Sequence, residues 1–161
     1  MKQITITTTF SVYESLKELN QEDSALMMQA IKARKNAYSP YSKFNVGAAA
    51  ILENGQIIKG SNQENASYPV GICAERVLLS AASTLYHGVA IKTIAISYHN
   101  LKGESKNPVS PCGICRQSLL EQTIRQHQPI KLILSGMEGV VYILEDAAAL
   151  LPLSFTAADM K

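Results

Sequence analysis

Two short stretches, Cys73-Ala74-Glu75 and Pro111-Cys112-Gly113-Ile114-Cys115, constrain this chain more than any other part of it. Beyond the first, Val77, Leu78, Ala81, Ala82 and Leu85 recur at helical period, and beyond the second Leu119, Leu120, Thr123 and Ile124 do the same. Pro69 and Gly71 supply a turn into the first of these helices. The chain's only three cysteines therefore open two separate helices. An odd number, two of them spaced C-x2-C, does not describe a disulfide framework, so the thiols are expected to be reduced and the protein cytoplasmic.

Three thiols and one glutamate at two helix starts have the makings of a catalytic metal site. Structural zinc takes four protein ligands, whereas catalytic zinc takes three and keeps one position open. Cys73, Cys112 and Cys115 supply three. A helix N-terminus carries positive partial charge, which favours the thiolate that each ligand must become. Arg76 lies three residues beyond Cys73 and Arg116 directly follows Cys115, and their guanidinium groups are placed to donate to sulfur and offset the excess negative charge. Glu75 lies two residues beyond Cys73 and points elsewhere around the helix, free to carry protons. The plainer alternatives are a closed zinc site completed by His87, His99 or His127, and a Glu75 that merely complements the helix dipole, worth roughly 0.3–1 kcal/mol. No histidine stands at ligand spacing, and the joint pattern favours catalysis.

The rest of the chain frames this site. With 161 residues, 47% hydrophobic and 17% charged, the composition is that of one globular domain with a proper core. A net charge of +2 from scattered basic residues argues against nucleic acid as the main partner, and no apolar run is long enough for a membrane span. Ile4 to Phe10 alternate and favour a strand. Asn20 with Asp23 reads as a helix cap, with the helix ending near Tyr38 because Pro40 follows. Asn54-Gly55 joins Val46–Leu52 and Gln56–Lys59 in a hairpin. Strands are expected at Thr93–Tyr98, Ile130–Leu134 and Val140–Leu144, and a last short helix over Glu145–Leu151. Strand–helix–strand order implies parallel pairs, so the fold class is α/β, with helices on both faces of a mixed sheet of about five strands.

With these residues in view, the pattern Cys73-x-Glu75…Pro111-Cys112-x-x-Cys115 resembles that of the zinc deaminases, H-x-E…P-C-x-x-C with cysteine allowed for histidine. The segments YSPYSKFNVGAA, GSNQENASYPVGICAER, SPCGICRQ and LLPLSF extend the resemblance to the short, all-cysteine form of cytidine deaminase, from about Ala25 onward. That resemblance implies a three-layer α/β/α sandwich around a five-stranded sheet, one Zn2+ per subunit, and a homotetramer with shared active sites. It also implies hydrolytic deamination of cytidine and deoxycytidine in pyrimidine salvage, with Glu75 shuttling protons. Carried over position by position, Asn62 and Glu64 match the family's ribose clamp, Phe44 and Ala74 lie at the pyrimidine, and Phe155 reaches in from a neighbouring subunit. Residues 21–161 would form this domain. Residues 1–20 lengthen the front beyond the family's compact form, as an added strand or a contact between subunits. A nucleic-acid-editing deaminase would carry a helix between the last two strands. Ser135-Gly136-Met137-Glu138-Gly139 is too short for that, so an antiparallel hairpin is expected there. A zinc-stabilised binding module without activity is the non-enzyme alternative.

Overall fold

Asn20 starts the first helix as its sequence suggests. Its side chain accepts from the Asp23 amide, and α1 runs over Gln21–Ala33 before a 3-10 turn at Arg34–Asn36. In the computed structural model, which describes residues 1–160, this helix is one of three. The others are α2 (Ala74–Leu85) and α3 (Gly113–Gln126). The strands are β1 (Ser11–Tyr13), β2 (Phe44–Leu52), β3 (Ile57–Ser61), β4 (Ile91–Asn100), β5 (Lys131–Ser135) and β6 (Val141–Leu144). Gly55 takes φ 81° in the β2–β3 turn, a backbone region that glycine enters without strain.

The six strands form a single sheet in the order β1-β6-β5-β4-β2-β3. β4 and β5 are parallel, with α3 as their crossover, and the other neighbours are antiparallel. β5 and β6 pair through Leu132 with Leu144 and Ser135 with Val141, so the last two strands are the expected hairpin. Side chains alternate across the sheet and build two cores. On one face Leu26, Met27 and Ala30 of α1 meet Ala49, Ala95, Ile133 and Ile143. On the other, Leu78 of α2 and Leu119 of α3 meet Ala48, Ala50, Ile94, Ile96 and Leu132. Each fully buried leucine or isoleucine there contributes roughly 1.5–3 kcal/mol of burial. Lys131 and Asp23 pair at 2.6 Å and fasten β5 to the first turn of α1.

Small residues set how closely the helices approach. A Cβ on Gly47 would lie 2.2 Å from the Ala30 carbonyl oxygen, and one on Gly60 would lie 2.3 Å from that of Ala74. Gly60 therefore lets the first turn of α2 settle directly on β3.

The architecture is the expected α/β/α sandwich, with six strands in place of five. Residues 4–10 form no strand, contrary to their alternation; the strand at the front is Ser11–Tyr13, on β6. Both sides of the 4–10 segment are exposed, so its alternation matches no buried face, and among the described residues no strand pairs with it. It is held by a Thr8 Oγ1 bond to the Ala149 carbonyl and by Phe10 against Tyr142, ring centroids 4.9 Å apart. The closing helix expected over Glu145–Leu151 is only a 3-10 turn, Ala147–Leu150, begun by the Asp146 side chain accepting from the Ala148 amide.

Candidate active site

Cys73 is the N-cap residue of α2, and Cys112 is the N-cap residue of α3, with Cys115 in the first turn behind it. The sheet order places both helix starts on the same face. The sulfurs of Cys73 and Cys112, 39 residues apart in sequence, lie 3.7 Å from one another, and those of Cys112 and Cys115 lie 3.5 Å apart. All three thiols are free and lie within 4.8 Å of each other. A tetrahedral zinc with Zn–S bonds near 2.3 Å requires sulfurs about 3.8 Å apart, so the donor set fits zinc in number, softness and spacing. No histidine joins the cluster among the described residues.

The thiols already share protons unequally. The hydrogen bond with Cys115, helped by Cys112 and Arg76 against burial and the Glu75 charge, brings Cys73 down to about 6. Cys115 is driven upward by the same bond with Cys73, by burial and by the Glu75 charge. Arg116 donates Nε–H to the Pro111 carbonyl at 2.9 Å and Nη1–H to the Leu150 carbonyl at 3.2 Å. Its fork thus braces the residue before Cys112 against the C-terminal segment, whereas the sequence suggested a bond to sulfur.

Glu75 is 5% exposed, in the first turn of α2. Burial pushes its carboxyl above the ordinary range, opposed by hydrogen bonds from its own amide and the Cys115 thiol. A carboxyl lifted towards neutrality beside the thiol cluster can both take and return a proton. Ala74 precedes it, fully buried, and as the first helical residue its N–H has no partner within α2.

The sugar-side candidates are delivered by an extension of β3. Gln63 bonds in both directions with Ile72, while Tyr38 and the backbone of Asn62 and Glu64 pair on the other side. These isolated bridges carry Asn62 and Glu64 alongside the segment leading to Cys73. Glu64 Oε2 accepts from the amides of Tyr41 at 2.9 Å and Ser42 at 3.3 Å. Against some desolvation, bonds from the Ser42 hydroxyl and those two amides, with the Lys43 charge, hold the Glu64 carboxyl below its usual range. It borders a cleft of about 420 Å³ with Tyr41, Ser42, Asn65, Tyr68 and Gly71. Asn62 accepts from the Val46 amide and donates to the Phe44 carbonyl, so its carboxamide brackets β2 and retains one donor and one acceptor.

Phe44 stacks on Tyr98 with centroids 4.9 Å apart and planes at 14°. Tyr98 did not stand out in the sequence, although Ile94, Ile96 and Tyr98 share one face of β4 by simple alternation. Phe155 is 61% exposed, and its carbonyl accepts from Gln117 of α3.

Residues 20–128 match the family described as the cytidine and deoxycytidylate deaminase zinc-binding region. The cytidine deaminase of Halalkalibacterium halodurans is 40% identical over 136 residues, covering 84% of this chain and 96% of the relative. That of Sporosarcina psychrophila is 37% identical, over 84% of this chain and 93% of the relative. Among solved structures, the cytidine deaminase of Burkholderia pseudomallei superposes with a TM-score of 0.72 at 37% identity, covering 85% of this chain and all of that one (100%).

Proposed function

Because the chain belongs to the cytidine and deoxycytidylate deaminase family, we propose that it is a zinc-dependent hydrolase converting cytidine and deoxycytidine to the corresponding uridines with release of ammonia. The observation that carries this reading is the meeting of three free thiols at two helix starts, with a buried Glu75 against Cys115. Cys73, Cys112 and Cys115 would hold the metal. Bound zinc supplies Lewis acidity, lowering the pKa of a coordinated water to about 7.

The chain's own residues manage the protons and the substrate. Glu75 takes one proton of the attacking water and passes it to the ring nitrogen while the water oxygen bonds to the amino-bearing carbon. It then takes the remaining proton of that oxygen and delivers it to the amine, which leaves as ammonia as the C–N bond breaks and the carbonyl forms. The raised affinity of Glu75 for protons suits both directions of transfer. The Ala74 amide is a free donor for a polar atom of the pyrimidine, and the Phe44 ring offers the base a flat apolar wall. Glu64 keeps an oxygen free to accept from a sugar hydroxyl, and Asn62 has one donor and one acceptor left for the same ring. Arg76 favours the Cys73 thiolate by its charge, and Arg116 steadies the approach to Cys112.

The charge of Glu64 also selects by size and sign. Ammonia release from cytidine should exceed that from cytidine 5′-monophosphate by at least about tenfold in kcat/KM, a factor that needs only about 1.4 kcal/mol of repulsion. Equal rates on the two would remove the nucleoside assignment, and no release from either would leave a zinc-stabilised binding module.

We further infer a homotetramer in which Phe155 completes a neighbour's site. In support, Leu151-Pro152-Leu153-Ser154-Phe155 leaves its 3-10 turn at a proline, and Phe155 turns an apolar ring to the outside. Reassembling Glu75→Gln chains with Phe155→Ala chains should give more activity than the mean of the two parents. A mixture that only averages them would restrict Phe155 to its own subunit. Three free thiols fit a reducing compartment, and a cytoplasmic role in nucleoside salvage is the corresponding proposal. No helix among the described residues is long and apolar enough to cross a membrane.

A further inference from the structure

We propose that Tyr98 is a positioning residue that ties the Phe44 ring to the loop delivering Cys112. The inference rests on the reading of Phe44 as a wall of the pyrimidine pocket. Tyr98 is 5% exposed, near the end of β4, on the sheet face that carries α2 and α3. Its two ends do different things. The ring lies nearly parallel to Phe44 at 4.9 Å, so Phe44 has a fixed surface behind it. The hydroxyl donates to the Asn107 carbonyl at 2.7 Å.

Asn107 belongs to the loop between β4 and α3, five residues before Cys112. That loop is pinned a little earlier as well. The Ser105 hydroxyl accepts from the Asn100 amide at 2.8 Å, and the Ser105 carbonyl accepts from the Met137 amide at 2.7 Å. From Asn107 onward the tether is the Tyr98 hydroxyl, until Arg116 takes hold of Pro111. Tyr98 itself is anchored from the opposite face of the sheet. Arg34, buried and without a carboxylate partner among the described residues, donates Nη1–H to the Tyr98 carbonyl at 2.7 Å and to Ser97 Oγ at 3.1 Å. One side chain therefore sets both the wall facing the base and the reach of a metal ligand, so movement at either end is felt at the other.

The test separates the two ends and compares wild type with Tyr98→Phe, Tyr98→Leu, Phe44→Leu and the Phe44→Leu/Tyr98→Leu double variant. Tyr98→Phe keeps the ring and removes the hydroxyl. It should release zinc to a chelator about 2- to 12-fold faster, the loss of one net hydrogen bond, with KM for cytidine within about twofold of wild type. Tyr98→Leu removes the ring and should raise KM about 2- to 12-fold, the range of a stacking contact. Because the ring acts through Phe44, the double variant should have a KM no higher than Phe44→Leu alone. Should Tyr98→Leu fail to fold, Tyr98→Met takes its place.

Wild-type zinc release in Tyr98→Phe overturns the hydroxyl half of the proposal. Full multiplication of the KM effects in the double variant overturns the ring half. A lowered Tm with unchanged KM and zinc release would reduce Tyr98 to packing. If Phe44→Leu itself leaves KM unchanged, the reading of Phe44 fails and the ring half falls with it. The zinc-release measurement needs no substrate and still decides the hydroxyl half.

Discussion

Glu75→Gln should purify as a folded protein with its zinc content intact and lose about 10²–10⁴-fold in kcat on cytidine, the usual contribution of a positioned proton carrier. The substitution keeps the shape and the hydrogen-bonding reach of the side chain while removing its ability to take a proton. The site makes this a clean separation. Glu75 lies outside the set of three mutually close sulfurs, so the metal loses no ligand. It is also buried, and desolvation already disfavours its charged form. A neutral amide there should thus cost little stability, and the Tm of Glu75→Gln should equal or exceed that of wild type. Metal analysis alongside single-turnover rates checks both halves. Zinc lost together with activity would make Glu75 a ligand and end its assignment as the proton carrier.

Cys112→Ser should lose metal and activity together while α3 remains formed. Cys112 is the N-cap residue of that helix and makes no side-chain capping bond as cysteine. Serine is among the best N-cap residues, contributing up to about 1 kcal/mol relative to apolar residues at that position. On the proposed zinc assignment, the replacement therefore removes one of three soft ligands without weakening the start of the helix. Zinc per chain should fall from about one to near zero after dialysis against a chelator that leaves wild type loaded, and ammonia release should fall in proportion. In metal-free form, the variant should melt no lower than metal-free wild type. Retention of full activity by protein stripped of metal would sink the zinc assignment.

Both experiments rest on the parts of the molecule that are most legible in the amino-acid sequence. Helix period after Cys73 and after Cys112, the Asn20–Asp23 cap and the Asn54-Gly55 turn are all encoded within a few residues, and each appears in the structure where the sequence puts it. The brevity of the Ser135–Gly139 link likewise dictates an antiparallel β5–β6 pair. Local propensity misled where there was nothing to bury. Residues 4–10 have strand-like composition but run exposed, and the sixth strand forms only at Ser11–Tyr13, where the β6 edge offers backbone partners.

What the sequence by itself determined, then, is which residues stand at the start of each helix and which turns join the strands, because periodicity, caps and turn chemistry act over one or two turns of chain. Only the tertiary structure decided that Cys73 and Cys112 meet at 3.7 Å, that Gln63 laces Asn62 and Glu64 to the segment before Cys73, and that Arg116 grips carbonyls and Tyr98 backs Phe44. Those distances depend on how two sheet faces bury their apolar rows and on where Gly47 and Gly60 let a helix backbone come close. The period of each segment shows which of its faces is buried, but not which distant segment that face meets or how closely.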